Sequence, residues 1–373
     1  MKNIFRSLGL KSSRSSAPEP SYQAPSSSDN SPQSSPDRSS PARPTTFSGL
    51  ASRPRRKAEL LASELQKAQS SSANNSSLQQ YARNTLNNLE NGIQPTPGDT
   101  MIDIENLHEV VASYRYEDLN LRAFNSIENF IDSLEAGRSS QSRQRAIVRD
   151  YPNVHHFAVD VKHHENGAST LIVLESASAG NEIALPGYTK LASMLRSKFG
   201  GSARMVVIEA EAQKSLNDCV IFALDFALAA YQKRNSVFEG WHDNLASHGS
   251  IADQGERHRK YGPFDSGLFR NHGVFLIKGW GVLPPIFYKH CQSREVLQGV
   301  EKRQPGSLDT NVSTGGNREQ DESLSERMEA FTDSRGYRPR NISIETSRAT
   351  KIRHALSDLP PSSVPVITDK ARG

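Results

Sequence analysis

Apolar positions recur with a helical period over Ser77–Leu89, Ile104–Tyr114 and Arg122–Leu134. The last of these puts Phe124, Ile127, Phe130, Ile131 and Leu134 on one face and stops at Gly137, the spacing of a helix with one buried stripe and a glycine end. The period then changes. HFAVDV (156–161) and TLIVLE (170–175) are short apolar runs flanking a polar loop that contains Asn166-Gly167, and Asn-Gly supplies the positive φ that a tight hairpin needs. ARMVVIEA (203–210) reads as a third strand. Pro186–Phe199, closed by Gly200-Gly201, reads as an amphipathic helix, and CVIFALDFALAAY (219–231) as a buried one. GVFLIKGWGVLPPIFYKH ends the apolar pattern before a short helix around Glu295–Val300, and helical character returns over Ile342–Leu356. These elements predict an α+β fold, a small mixed sheet flanked by helices.

Composition changes the picture at the two ends. Residues 1–57 are dominated by Ser and Pro with scattered Arg and cannot bury enough surface to offset their ordering entropy. Across all 373 residues the hydrophobic share is only 35%. The expected organisation is a disordered segment 1–75, a helical flank 76–145, a core 146–300 and a flexible linker with a C-terminal helical segment 301–373. AELLASELQKAQ (58–69), after the basic Arg53-Pro-Arg-Arg-Lys57, is a candidate amphipathic helix inside the first segment. Arg143, Arg145 and Arg149 form a row that reads as a solvated face, with phosphate contact as the alternative.

The net charge of +4 is mild and suits polyanionic small molecules as well as larger acidic partners. No run of eighteen apolar residues, zinc-ligand spacing or phosphate-binding glycine loop occurs, so a membrane span, a metal site and a nucleotide fold lack support, and no direct nucleic-acid partner is expected. Cys219 and Cys291 make no disulfide framework, which suits a reducing compartment and a working thiolate.

That thiolate has candidate partners. If the hairpin turn centres near Glu165 and Asn166, His156 falls opposite Glu175, about 5 Å away across the strands. A carboxylate there holds an imidazole in one tautomer, as in a catalytic triad. Asp218 is a plausible N-cap, so Cys219 begins a helix where the dipole and free N–H groups favour a thiolate. Gln213, six residues earlier, could turn its amide toward the same point as an oxyanion donor. Taken singly, each residue has an ordinary structural reading, since free cysteines are usually buried and inert. The set is what points to a Cys–His–Glu site.

His156-Phe157, Leu174-Glu175-Ser176, Gln213-x5-Cys219 and Leu283-Pro-Pro-Ile-Phe-Tyr-Lys-His290 occur in the order found in the YopJ family of type III effector acetyltransferases, which residues 100–300 resemble. The opening MKNIFRSLG is similar to the AvrBsT-like plant-pathogen branch. Val220 departs from the glycine that several relatives carry after the cysteine, and Lys2 removes the N-myristoylation signal of some relatives. The resemblance implies a SUMO-protease-like core that transfers acetyl from acetyl-CoA to Ser, Thr or Lys of host signalling or immune proteins. It implies type III secretion into the host cytoplasm or nucleus, activation by inositol hexakisphosphate and an autoacetylated Lys289. Arg115, Arg122, Arg348, Lys351 and Arg353 are the candidate phosphate contacts. The same triad with water as second nucleophile would make a cysteine protease of ubiquitin-like conjugates, which is the rival reading.

Overall fold

Six strands lie side by side in chain order: β1 (Leu121–Phe124), β2 (Arg143–Arg149), β3 (His156–His163), β4 (Ser169–Glu175), β5 (Ala203–Glu209) and β6 (Leu276–Lys278). The structure is a computed structural model that describes residues 47–71, 76–139, 142–150, 152–180, 184–251, 274–313, 321–336 and 339–358. The expected secretion segment therefore lies largely outside the described residues. β2–β3 and β3–β4 pair antiparallel, while β1–β2, β4–β5 and β5–β6 pair parallel, so the sheet is mixed as expected.

Strand residues alternate between two apolar layers, as the pleat requires. Val148, Phe157, Val159, Val173 and Val207 face one layer, covered by α4 (Ile127–Gly137) and α5 (Ala184–Phe199). Ile147, Ala158, Ile172, Leu174 and Ile208 face the other, where α6 (Cys219–Gln232) is buried on nearly every side. Behind α6 stand α1 (Ser52–Ser71), α2 (Ser77–Asn91) and α3 (Pro97–Ala112). α7 (Glu239–His248), α8 (Arg294–Arg303) and α9 (Leu324–Ala330) follow, and a two-stranded ribbon, β7 (Thr332–Asp333) with β8 (Arg340–Asn341), leads into α10 (Ser343–Ser357).

α10 is expected from its helical pattern, but its burial is not: it is polar by composition yet buried along most of its length. It packs against α1, α2, α3 and α6, with Ile344, Ala349 and Ile352 fully enclosed. Its buried Arg348 and Lys351 are matched by carboxylates from α3 and α6, as burial of charge demands. α1 lies within the segment expected to be disordered, and its Leu61 and Leu65 join the same core.

Two other expectations need correction. Arg122–Leu134 is not one helix: Leu121–Phe124 pairs with β2, and Ser126 then caps α4 by accepting the Asn129 N–H at 3.2 Å. Phe124 and Ile127 bury in one layer, which mimics helical periodicity. The arginine row is not a solvated face either. It is β2, in which Arg145 is fully buried, donating from Nε to Asp160 at 2.9 Å and from Nη1 to the Asp118 and Leu119 carbonyls at 2.8 and 3.1 Å.

Since α10 is a core element, Ile352→Ala should cost about 2–5 kcal/mol through the cavity it leaves. Urea denaturation followed by circular dichroism checks this, and an unmoved midpoint would make α10 a loosely docked appendage.

Candidate active site

The end of β4, the residue preceding β3 and the start of α6 meet at one end of the two central strands. Glu175 closes β4 and is fully buried. Its Oε2 lies 2.7 Å from His155 Nε2 and also accepts the Tyr188 hydroxyl of α5, while Oε1 accepts the Ala177 N–H at 2.6 Å. Burial alone would raise the Glu175 pKa, but His155, Tyr188 and Ala177 hold it below the usual carboxylate range. Burial likewise opposes an imidazolium at His155, and the Glu175 charge together with a hydrogen bond to Cys219 outweighs it, so the His155 pKa stands well above its ordinary value. With Nε2 turned to the carboxylate, Nδ1 is the ring nitrogen left for the thiol. Cys219 is 3% exposed, and its Sγ lies 3.5 Å from the Val154 carbonyl.

The imidazole that meets Glu175 is thus His155, not the expected His156. The hairpin loop spans residues 164–168, closed by His164 N–H to Ala168 O at 2.8 Å and Gly167 N–H to His164 O at 2.9 Å, with Gly167 at φ 76°. This loop pairs Ala158 with Leu174, so the ladder extends to set Phe157, not His156, across from Glu175. A one-residue slip sends alternate side chains to opposite faces. His155 shares the face of Glu175; His156 turns away, buried, with Nδ1 2.8 Å from the Val154 carbonyl. Burial brings its pKa down to about 3 despite that carbonyl, so it stays neutral. Sequence offered adjacent histidines and no means to choose between them except turn geometry, and no pattern marked Tyr188.

Gln213 is buried, but its amide is engaged in holding the loop before α6. Its Oε1 accepts Ser176 Oγ at 2.7 Å and its Nε2 donates to the Ser215 carbonyl at 2.6 Å. Gln292, two residues beyond the FYKH segment, clamps the same loop by accepting the Lys214 and Ser215 N–H groups at 2.7 and 2.9 Å. Asp218 stands at the N-cap position, yet its side chain makes no cap hydrogen bond to α6. The first-turn amides of α6 therefore carry no side-chain cap beside Cys219.

The basic residues divide. Arg115 is 74% exposed and pairs with Asp358; Arg122 donates to Ser133 and lies over the Phe124 ring; Arg353 is half-buried in a groove with Lys67 and His354. Arg348 is spent on Asp103 and Asp218. Lys351, at 2.8 Å, and Lys289, at 3.5 Å, converge on Asp225 of α6. Lys57, which the sequence shows only as part of a basic cluster, and Arg327, which it does not mark, lie close enough that their charges, with those of Lys289 and Lys351, act on one another. Arg327 is paired with Glu322 at 2.7 Å. Burial first, and these like charges next, push the Lys57 amine well below its ordinary pKa and the Lys289 amine down to about 8. This knot of cations, drawn from four segments, shares the carboxylates of Asp225 and Glu322.

Comparison with known proteins supplies the context. A family model described as YopJ Serine/Threonine acetyltransferase matches residues 78–354. A serine/threonine-protein acetyltransferase of Sinorhizobium fredii is 39% identical over 241 residues, covering 63% of this chain and 89% of that protein. HopZ1a of Pseudomonas syringae pv. syringae, a protein named likewise, is 28% identical over 244 residues, covering 62% of this chain and 63% of HopZ1a. The crystal structure of HopZ1a in complex with IP6 and CoA superimposes with a TM-score of 0.69 at 23% identity, over 83% of this chain and 98% of that one, which establishes a shared fold.

The two histidines are separable by experiment. His155→Ala should slow alkylation of Cys219 by iodoacetamide near neutral pH by about 100-fold or more, the scale of a lost general base. His156→Gln should cost stability and leave the alkylation rate within a few-fold of wild type; the reverse pattern would restore His156 to the site.

Proposed function

The chain belongs to the YopJ serine/threonine acetyltransferase family, and from that premise we propose that it transfers acetyl from acetyl-CoA to a protein side chain through Cys219, His155 and Glu175. The observation that carries the mechanism is the His155 imidazole held between a buried carboxylate and the thiol. His155 takes the Cys219 proton, and the thiolate attacks the thioester carbonyl. The amides at the start of α6, free of a side-chain cap, would donate to the tetrahedral oxyanion in the role expected for Gln213. As the intermediate collapses, the carbon–sulfur bond to CoA breaks and His155 returns the proton to the departing thiol. The acceptor hydroxyl or amine then attacks acetyl-Cys219, with His155 again as base, and free Cys219 is regenerated. Glu175 keeps the ring oriented and favours its charged form, and Tyr188 and Ala177 fix Glu175 in turn.

A protease would use the same parts with water, so family membership and not triad geometry favours the transferase. Type III delivery and host immune or signalling proteins as acceptors follow from the family as part of the same proposal.

The activator is inositol hexakisphosphate, and the cations that would hold it are Lys57, Lys289, Arg327 and Lys351 in place of Arg115, Arg122, Arg348 and Arg353. They come from α1, the FYKH segment, α9 and α10, so a bound polyanion would tie the flanking helices to the core. Lys289 is also the proposed autoacetylation site. Its amine is partly neutral near pH 8, as acyl transfer to nitrogen requires.

Two outcomes test this. With labelled acetyl-CoA, wild type should become labelled and Cys219→Ala should not. Inositol hexakisphosphate should raise both rate and Tm, Lys351→Glu should abolish the Tm gain and Arg115→Ala should keep it. Cys219-independent labelling would overturn the mechanism, and an unmoved Tm the activator. Separately, acetylation of Lys289 read by mass spectrometry should climb as pH rises from about 7 toward the amine pKa of about 8 and then level off, because only the neutral amine attacks.

A further inference from the structure

An aspartate at a helix N-cap ordinarily accepts N–H bonds from the first turn, and its charge is favoured there by the helix dipole. Asp218 has that position ahead of Cys219, with φ −116° and ψ 5°, and does not act so. Its carboxylate is drawn away on both oxygens. Oδ1 accepts Arg348 Nη2 at 2.8 Å, while Oδ2 accepts Gln292 Nε2 at 3.1 Å and the Ser215 hydroxyl. Arg348 is anchored in turn by Asp103 of α3, from Nε and Nη2 at 2.8 Å each, and Asp103 also accepts the Tyr81 hydroxyl of α2. Asp218, Arg348, Asp103 and Tyr81 are buried, while Ser215 and Gln292 are partly exposed.

We propose that Arg348 is a positioning residue that withholds the Asp218 carboxylate from the N-terminus of α6, leaving the first-turn amides to the Cys219 thiolate and its oxyanion. The proposal rests on the reading of Cys219 as nucleophile. Released from Arg348, the carboxylate keeps only Gln292 and Ser215 on Oδ2, and a turn of Asp218 ψ from 5° toward the extended range usual at an N-cap would carry Oδ1 to the first-turn N–H groups. It would then occupy the oxyanion donors and set a negative charge beside the sulfur. The preceding residue is held by Thr100 Oγ1 to the Asn217 carbonyl at 3.2 Å and Asn217 Nδ2 to the Pro95 carbonyl at 2.8 Å, with Arg348 Nη2 adding a longer contact to that carbonyl of Asn217 at 3.5 Å, so loss of Arg348 leaves the loop tethered. Because Arg348 belongs to α10 and Asp103 to α3, the flanking helices reach the reacting sulfur through this guanidinium.

The charged and titratable groups around Asp218 are Arg348 and Glu345 of α10, Asp103 of α3 and Tyr81 of α2. Glu345 carries its own ion pair to Arg340. Across Cys219 stand His155 and Glu175.

The test follows alkylation of Cys219 by iodoacetamide against pH, in the full chain, for wild type, Arg348→Gln, Asp218→Ala and the double variant. Arg348→Gln should move the midpoint up by about one pH unit and lower kcat for acetyl transfer about tenfold, with KM for acetyl-CoA little changed. Asp218→Ala, which can neither cap nor repel, should leave the midpoint in place or lower it. The double variant should follow Asp218→Ala, because no carboxylate remains to be withheld. If Arg348 is only a strut, both Arg348 variants lose activity alike with unmoved midpoints, and the proposal falls. Should Arg348→Gln not fold, Asp218→Ala decides alone, since a midpoint that rises overturns the proposal. A wild-type Cys219 that alkylates no faster than an ordinary thiol would defeat the nucleophile reading before any variant is made.

Discussion

The hydrogen-bond register between β3 and β4 is the constraint from which the site follows. A pleated pair has only two faces, so one register sends His155 and Glu175 to the α5 layer and its neighbour would send His156 there instead. The five-residue loop around Asn166 selects between them. Once chosen, the register also sets which residues line the two cores, because the same alternation places Val159 and Val173 on one face and Ala158 and Leu174 on the other.

The second constraint is charge without water. α6 and α10 meet through groups that could not be buried singly: Asp225 with Lys351 and Ser347, and Asp218 with Arg348. Arg348 and Lys351 are one helical turn apart on one face of α10. One of them reaches the residue before Cys219, and the other enters the cationic knot around Asp225. The core reactive helix and the flanks are joined by directional contacts, Asp225 to Lys351 and Asp218 to Arg348.

Much of this architecture was legible along the chain. The hairpin, the third strand, α5, α6 and α10 all declare themselves by period and by turn residues, and Cys219 at the head of an apolar helix marked the reactive end. The failures have physical causes. Phe124 and Ile127 fall in one layer from two different elements, so a strand followed by a capped helix reads as a single helix. Arg145 looked solvated and Arg348 looked free for a phosphate because nothing local shows their partners, Asp160 and Asp103, which lie 15 and 245 residues away. The polyanion candidates were drawn from separate segments with nothing to say which of them meet, whereas Lys57, Lys289, Arg327 and Lys351 come together only in space.

Local pattern therefore determined the elements, the α+β class and the end of the sheet where chemistry would lie, because periodicity and turn preference are short-range properties written in neighbouring residues. Tertiary structure alone decided which of two adjacent histidines faces the carboxylate, which arginines are buried and what Asp218 does with its charge. Those outcomes depend on register and on partners far apart in the chain, whose proximity exists only once the layers have closed.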